Sequence, residues 1–482
     1  MLLISSACLT LWKSGTFTKI LEENQLGKYF GTDGIRGIVN KELDAALAFK
    51  VGQATAMVLA ENFGSDIKPL VTIGKDTRIS GDMLEAAITA GLCSAGADVM
   101  PLGVIPTPAV AFITTDCGAD AGIVISASHN PYEHNGIKIF NAKGFKLSDE
   151  LESQIEQLVD SFEPLAEKQN GDIGRVLPRG RECVDRYIEH IVSVAEGKIG
   201  KMKVMIDCSN GAATRTVNDI FGRFPLDLEL IKDHPDGCNI NADCGSTHID
   251  ILGRMVVAGG YDLGLAFDGD ADRCLAVDEN GQLVDGDKIM AICGKAMIAA
   301  GKLHNNAIVA TVMSNLGFHE YCGKSGIDLH CAAVGDRNVL EMMQENGFNL
   351  GGEQSGHMIF LDNATTGDGQ LAAVRFLEVI SKSGKKLSEL AAEIPTYPQV
   401  LHNISIDGGN AAKEAIISDE SLKQIIEDEQ KALGNTGRIL VRPSGTEALI
   451  RVMVEAADKK TSDEVATRIS EFIEKLSNNI KM

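Results

Sequence analysis
From Phe30 onward, short apolar runs alternate along the chain with stretches of helical period, the pattern of βαβ units and of mixed or parallel sheets. The periodicity predicts a helix over 43–61, a strand over 70–74, a helix over 81–95 opened by Ser80 and Gly81, and strands over 99–104 and 122–125. These fill one α/β domain, 28–180, which leaves through the charged, Gly- and Pro-containing stretch 167–181. A second domain, 181–281, begins with a helix over 184–194 and a strand over 203–207, and runs to an apolar strand over 263–267 followed by an acidic loop. The third, 282–395, contains a strand over 307–312 and a helix over 337–346. The last, 396–482, pairs strands over 439–442 and 448–455 with helices over 419–433 and 462–476. Periodic structure starts only at Lys28, so residues 1–27 are expected to be a frayed extension or the product of a misread start at Leu26. Met1 to Trp12 is apolar but has no basic segment before it, unlike a signal peptide. An intact mass that includes Met1 to Gln25 would exclude the misread start.

Composition narrows the classes of function. A chain of 482 residues has room for three or four domains of about 100–200 residues each. Against 67 Asp plus Glu stand 45 Lys plus Arg, and the net charge of −22 repels nucleic acid and anionic membrane surfaces. An anionic small molecule must therefore be met by locally focused positive charge. The 11 cysteines are scattered, odd in number and without a CxxC pair, which fits reduced thiols in the cytoplasm better than a disulfide framework. Cys238 and Cys244, the closest pair, read as structural or incidental. No apolar run reaches the roughly 18 residues of a membrane helix.

The stretch richest in chemistry is 123–138, IVISASHNPYEHNGIK. Its apolar strand breaks into small and polar residues at Ser126, which presents the hydroxyl of Ser128 at a strand end, where α/β folds place their ligands. A serine hydroxyl needs a base, a metal or a phosphoryl group already on it to act. The run Asp268-Gly269-Asp270-Ala271-Asp272-Arg273 offers a metal: in extended chain, side chains at period two share a side, so the three carboxylates converge on a hard cation such as Mg²⁺. A Ca²⁺ loop is the rival cation site, and a solvated acidic turn is the bland alternative. Gly351 to His357, GGEQSGH, has the glycines and mixed donors to wrap sugar hydroxyls, with His357 also suited to acid or base work, or else is a Gly-rich turn. Arg442-Pro443-Ser444-Gly445-Thr446-Glu447, with Arg451 beyond, has the parts of a phosphate cradle or of a polar β-turn. Arg36 in Thr32 to Gly37 is set to stabilise charge or to cap a turn. Asn135-Gly136 reads as a turn that aims Lys138 back at the serine loop to neutralise a phosphate or shuttle a proton; the alternative is an exposed strand lysine. Together these parts imply phosphoryl transfer to or from a phosphosugar.

The motifs KYFGTDGIRG, GKDTRISG, ISASHNPYEHNGIK, NINADCGSTH, DGDADR, GGEQSGH and VRPSGTE, in that order over about 28–470, resemble the α-D-phosphohexomutases. The resemblance implies a four-domain α/β architecture, three mixed α/β domains and a C-terminal α+β domain around a central cleft, each giving one loop. It implies a Mg-dependent phosphotransferase with Ser128 phosphorylated, Mg²⁺ on Ser128, Asp268, Asp270 and Asp272, and a glucosamine or glucose 1,6-bisphosphate primer. Lys138 would move protons while Arg36 and Arg273 support charge. Glu353, Ser355 and His357 would grip sugar hydroxyls, and Arg442, Ser444, Gly445, Thr446 and Arg451 the non-reacting phosphate. Two departures stand out. Ala271 replaces a glycine of many relatives, with little effect expected, and Val334-Gly335-Asp336-Arg337 stands where phosphomannomutases have Lys-Thr-Gly-His. The second, with FGTDGIRG and Glu353-Gln354-Ser355, leans toward a glucosamine phosphate as substrate. Glucose and mannose phosphates are the rivals, followed by an inactive sugar-phosphate-binding protein and by a Mg²⁺ phosphatase. The partner expected is a phosphosugar, with neither nucleic acid nor membrane; monomer and homodimer both stay open.

Overall fold
The computed structural model describes residues 27–480, apart from 32, 64–67, 162–166, 196–198 and 445–446. The extension expected over 1–27 lies outside them but for its last residue. The chain forms two compact units: one of residues up to Met313 with Ile327–Ala391, the other of Ser314–Gly326 with Ala392–Met482.

The first unit carries three mixed sheets. Its first has six strands, β1 (Phe30–Gly31), β2 (Gly34–Ile38), β3 (Leu70–Lys75), β4 (Asp98–Val104), β5 (Ala121–Ile125) and β6 (His134–Asn141), in the order β1-β2-β6-β5-β3-β4. β3 is parallel to β4 and β5, whereas β6 is antiparallel to β5 and β2. All five residues of β5, AGIVI, are buried, which is why it reads as a continuous apolar run and not as an alternation. Ile73, Ile123 and Ile137 share a core with Leu84, Ile88 and Leu92 of the helix Gly81–Ser94, each such side chain contributing about 1.5–3 kcal/mol.

One sequence expectation fails here. Asn135 and Gly136 lie inside β6 and form no turn. A Cβ on Gly136 would stand 2.5 Å from the Ser126 carbonyl oxygen and 2.8 Å from that of Ile35, so this glycine permits close strand packing. Lys138 is delivered by an interior strand, opposite Val124, and at 2% exposure it is no surface lysine either.

The second sheet, β7 (Lys203–Asp207), β8 (Asp227–Ile231), β9 (Leu263–Phe267), β10 (Cys274–Asp278) and β11 (Leu283–Val284), has the order β11-β10-β9-β7-β8. The third, β12 (Ala307–Thr311), β13 (Asp328–Ala332), β14 (Leu350–Gly352) and β15 (Met358–Phe360), runs β13-β12-β14-β15. The second unit is α+β: the antiparallel strands β16 (Gln399–Ser405), β17 (Arg438–Pro443) and β18 (Leu449–Glu455), ordered β16-β18-β17, share a core with the helices Glu420–Leu433 and Lys459–Ile480. It also takes the helix Leu316–Ser325 from the middle of the chain. The fully buried Glu455 carboxylate accepts from Asn315 Nδ2 (3.2 Å) and Leu316 N (3.0 Å) and pairs with Arg438 Nε (2.6 Å). Among the described residues no helix is long and apolar enough to cross a membrane.

Candidate active site
The serine loop begins where β5 ends. Ser128 is buried and has φ +50°, a left-handed conformation that costs a non-glycine residue on the order of 1 kcal/mol and persists only when its surroundings enforce it. The enforcement is a buried network. Ser128 N donates to Ser126 Oγ (2.9 Å), and Ser126 Oγ donates to Asp76 Oδ2 (2.6 Å). Arg78, paired with Asp76 through Nε at 2.9 Å, spreads its terminal nitrogens over the carbonyls of Ser128 (2.9 Å), Asn130 (2.8 Å), Pro131 and His134 (3.0 Å). Asn241 Nδ2 adds bonds to the Ser128 and Asn130 carbonyls at 2.8 and 3.1 Å. Burial nonetheless lifts the Asp76 carboxyl above its ordinary range, against the pull of Arg78 and Ser126.

The acidic loop between β9 and β10 meets this serine. Ser128 Oγ donates to Asp268 Oδ2 at 2.6 Å. Gly269 allows the approach, since a Cβ there would lie 2.5 Å from the Ser128 carbonyl oxygen. One carboxylate oxygen each from Asp268, Asp270 and Asp272 lies within 4.8 Å of the others, and all three residues are buried. The convergence has a different cause from the one expected: the segment is a turn and not extended chain, and Ala271 at its centre has φ +57°. Ala271 therefore carries left-handed strain that a glycine would not.

Lys138 supplies the counter-charge, with Nζ 3.0 Å from Asp270 Oδ2, 3.1 Å from Asp33 Oδ2 and 3.7 Å from Asp272 Oδ2. Burial works to lower its pKa, but Asp270, Asp33 and Asp272 prevail and hold it raised, so the ammonium stays charged. Asp270 is held below its usual range despite burial, by Lys138 and by the hydroxyl of Thr107 at 2.7 Å. Burial together with the neighbouring carboxylates pushes Asp268 well up, and Asp272 up as well. Asp270 Oδ1 and Asp272 Oδ1 are buried without a hydrogen-bond partner. Hard oxygens, mutual repulsion and orphaned lone pairs fit a divalent cation such as Mg²⁺.

Around this centre the structure brings together most of the other expected residues. Arg36 pairs with Asp33, and Arg273 donates its backbone N–H to Asp268 Oδ1 (3.2 Å) with its Nε 3.8 Å from Asp272. His357 bridges Arg273 across the backbone and is buried, both ring nitrogens lacking hydrogen-bond partners. Its Nε2 lies 3.8 Å from Asp336. Glu353 accepts from Gly335 N (3.1 Å), and the exposed Ser355 lies 3.5 Å from it. The C-terminal cradle belongs to the second unit. There Arg442 and Arg451 face each other across β17 and β18, and Ser444 is buried. Gly445 and Thr446 lie outside the described residues.

Several participants had no assigned role in the sequence reading: Asp33, Asp76, Arg78, Thr107, His129, Lys146, Asn241 and Asp336. Lys146 joins Asp33 (2.5 Å) to Asp336 (2.6 Å), extending the chain of alternating charges from Lys138. His129 Nδ1 is 3.5 Å from Ser128 Oγ, and burial with Arg273 and Arg36 beside it lowers its pKa to about 4. Asp33, Asp76, Arg78, His129 and Asn241 did fall inside recognisable motifs; Thr107, Lys146 and Asp336 gave no local signal of a role.

Comparison with known proteins adds four matches along the chain. Phosphoglucomutase/phosphomannomutase alpha/beta/alpha domain I matches 27–165, domain II 185–281, domain III 285–397 and the C-terminal domain 404–472. A phosphoglucosamine mutase of Acetivibrio thermocellus is 51% identical over 450 residues, covering 93% of this chain and 99% of the relative. Among solved structures, a phosphoglucomutase/phosphomannomutase family protein of Burkholderia thailandensis superposes with a TM-score of 0.77 at 23% identity, over 93% of this chain and 98% of the other. The Aspergillus fumigatus N-acetylphosphoglucosamine mutase in complex with GlcNAc-6P and magnesium gives 0.67 at 18% identity, over 93% and 96%.

Proposed function
This chain belongs to the phosphoglucomutase/phosphomannomutase family, and from that premise we propose that it is a phosphoglucosamine mutase, interconverting glucosamine 6-phosphate and glucosamine 1-phosphate. Full-length relatives 47–51% identical bear that name. The observation that carries the chemistry is the Ser128 hydroxyl, 2.6 Å from Asp268 at the edge of three buried, converging carboxylates.

In the active form Ser128 carries a phosphoryl group. The P–O bond to Ser128 breaks as one forms to O6 of glucosamine 1-phosphate, or to O1 of the 6-phosphate, and the proton of that sugar hydroxyl ends on the Ser128 oxygen. The bisphosphate turns over, and its other phosphoryl group returns to Ser128, leaving the isomer. A glucosamine or glucose 1,6-bisphosphate primes the enzyme. Mg²⁺, held by Asp268, Asp270, Asp272 and the Ser128 oxygen, would supply charge neutralisation for the phosphoryl group. Lys138 holds a proton within reach of the same carboxylates, while Arg36 and Arg273 support negative charge. Glu353, Ser355 and His357 orient the sugar, the unpartnered ring nitrogens of His357 being free to serve its hydroxyls. Arg442, Ser444, Gly445, Thr446 and Arg451 hold the phosphate that is not reacting. The reading places the enzyme in the cytoplasm, in the supply of amino sugars for cell-wall precursors.

The test is a coupled assay of glucosamine 6-phosphate conversion with Mg²⁺ and bisphosphate primer, run beside glucose 1-phosphate and mannose 1-phosphate. Preference for the amino sugar is expected. Preference for glucose or mannose would overturn the substrate, and inactivity on all three would overturn the enzyme.

A further inference from the structure
Spacing along the chain singles out Cys238 and Cys244, but the fold brings together two other thiols, 66 positions apart. Cys117 closes the helix Thr107–Asp116, and Cys183 sits near the start of the helix Gly180–Ser193. Their Sγ atoms are 2.8 Å apart. Arg186, one turn on from Cys183, donates from Nη2 to both sulfurs, at 2.9 Å to Cys117 and 3.1 Å to Cys183, and its Nη1 pairs with Asp116 at 3.0 Å. Cys117 is half-buried whereas Cys183 is 3% exposed, so a reagent in solution reaches the first and not the second. The two helices are already fixed against each other, Phe112 stacking on His190 with ring centroids 4.5 Å apart.

We propose that Cys117 and Cys183 are a modification site, a thiol pair that oxidises reversibly to an intramolecular disulfide and so braces the two helices. The Cys117 thiolate attacks a low-molecular-weight disulfide, whose S–S bond breaks and whose first half leaves as a thiol. Cys183 then attacks Cys117 Sγ and displaces the second half. Two protein thiols are thereby oxidised, one small disulfide is reduced to two thiols, and both protons end on these. Closure from 2.8 Å to about 2.05 Å moves the sulfurs by less than about 1 Å. Both helices therefore stay in place, Thr107 included, whose hydroxyl is 2.7 Å from Asp270 Oδ2. The bond is a brace and not an off-switch. Arg186 favours the attacking thiolate, against burial and the Cys183 thiol, which push the Cys117 thiol up to about 12. Attack is accordingly slow at neutral pH, but a thiol that gains little from ionisation also leaves its disulfide resistant to reduction.

The full-length chain is equilibrated with oxidised glutathione at mildly alkaline pH, its remaining thiols are alkylated, and its peptides are weighed. Expected is a peptide pair joined through Cys117 and Cys183 and released by dithiothreitol. The oxidised protein should melt about 4–8 °C higher than the reduced one, with turnover of glucosamine 6-phosphate within about twofold. Cys183→Ser should hold Cys117 as its mixed disulfide with glutathione. Arg186→Gln, at a side chain 51% exposed, should slow the cross-link about three- to tenfold, and it keeps the test open should Cys183→Ser not fold. Free thiols at both positions after equilibration, or Cys117 joined to another cysteine, would overturn the site. An unmodified Cys117 in folded Cys183→Ser would overturn the order of attack, and an unchanged rate in Arg186→Gln the part given to Arg186. An unmoved melting temperature, or turnover lost on oxidation and restored by dithiothreitol, would overturn the brace. The peptide map holds whatever the substrate proves to be.

Discussion
The serine loop and the C-terminal loop each carry a buried serine just past the end of a strand, yet their charges are arranged in opposite ways. Around Ser128 every described cation has an acid against it: Arg78 has Asp76, Arg36 has Asp33, and Lys138 has Asp33 and Asp270. The surplus there is acidic, with two carboxylate oxygens left over. Among the described residues in and around the C-terminal loop Arg442 faces Arg451, Lys413 donates to carbonyls, and the carboxylate paired with the group is that of Glu447. The first arrangement suits a centre that takes a metal and performs chemistry. The second suits a seat that waits for an anion. A net charge of −22 makes that local reversal necessary for an anionic substrate.

The contrast predicts where kcat and where KM will move. Ser128→Ala should leave no measurable turnover, at least about 10⁴-fold down, because the proposed mechanism passes the phosphoryl group through this hydroxyl; residual activity within a hundredfold of wild type, in the coupled assay, would move the nucleophile elsewhere. Asp270→Asn should cost about 10²–10³-fold in kcat, since it removes a proposed metal ligand and the carboxylate 3.0 Å from Lys138 Nζ. If added Mg²⁺ restored the wild-type rate, Asp270 would be a weak ligand at most.

Asp368 is a carboxylate with no cation paired to it among the described residues. It is buried, accepts from Tyr187 Oη (2.9 Å) and from two backbone N–H groups, and burial lifts its pKa to about 6. A raised acid favours folding most below its unfolded pKa near 3.9 and loses that contribution as pH rises through about 6. Asp368→Asn should therefore flatten the stability curve between pH 4 and 6, by up to about 3 kcal/mol in denaturant titrations; an unaltered curve would mean that Asp368 is compensated in solution. Arg442→Ala should raise KM about tenfold with kcat largely kept, because on the proposed reading it contacts phosphate in both half-reactions; a kcat effect alone would erase the distinction between the two loops. The smallest effect is Ala271→Gly, which should raise stability by about 0.5–1 kcal/mol by relieving the left-handed strain. A lower denaturation midpoint would show that the methyl group packs better than the strain costs.

Which parts of the site were legible in the sequence follows from how local their signals are. The strand-to-loop break at Ser126 and the Asp-rich turn after LGLAF are contiguous, so composition alone marked them. The reason offered for the carboxylates' convergence was nonetheless wrong, since period two in an extended chain leaves no sign of a left-handed residue at 271. Asn135-Gly136 misled for a related reason. A dipeptide favoured in turns is also what a crowded sheet requires, and only the strands on both sides of Gly136 distinguish the two. Thr107, Lys146 and Asp336 gave no signal because their partners are remote: Thr107 meets Asp270 across 163 positions of sequence, and Lys146 meets Asp336 across 190.

The buried Glu455 has a bearing on how this protein can be dissected. Its carboxylate is closed by Asn315 and Leu316, which precede Glu455 by 140 and 139 positions and lie before the first strand of the C-terminal sheet. A truncation placed before that sheet would strip the helix Leu316–Ser325 of the acid that fastens its first turn, and the excised tail would keep a buried anion missing two of its donors. The C-terminal segment is therefore no cassette to be cut off or swapped at a single junction. A working chimera must exchange two stretches of chain, the helix and the tail, as one piece.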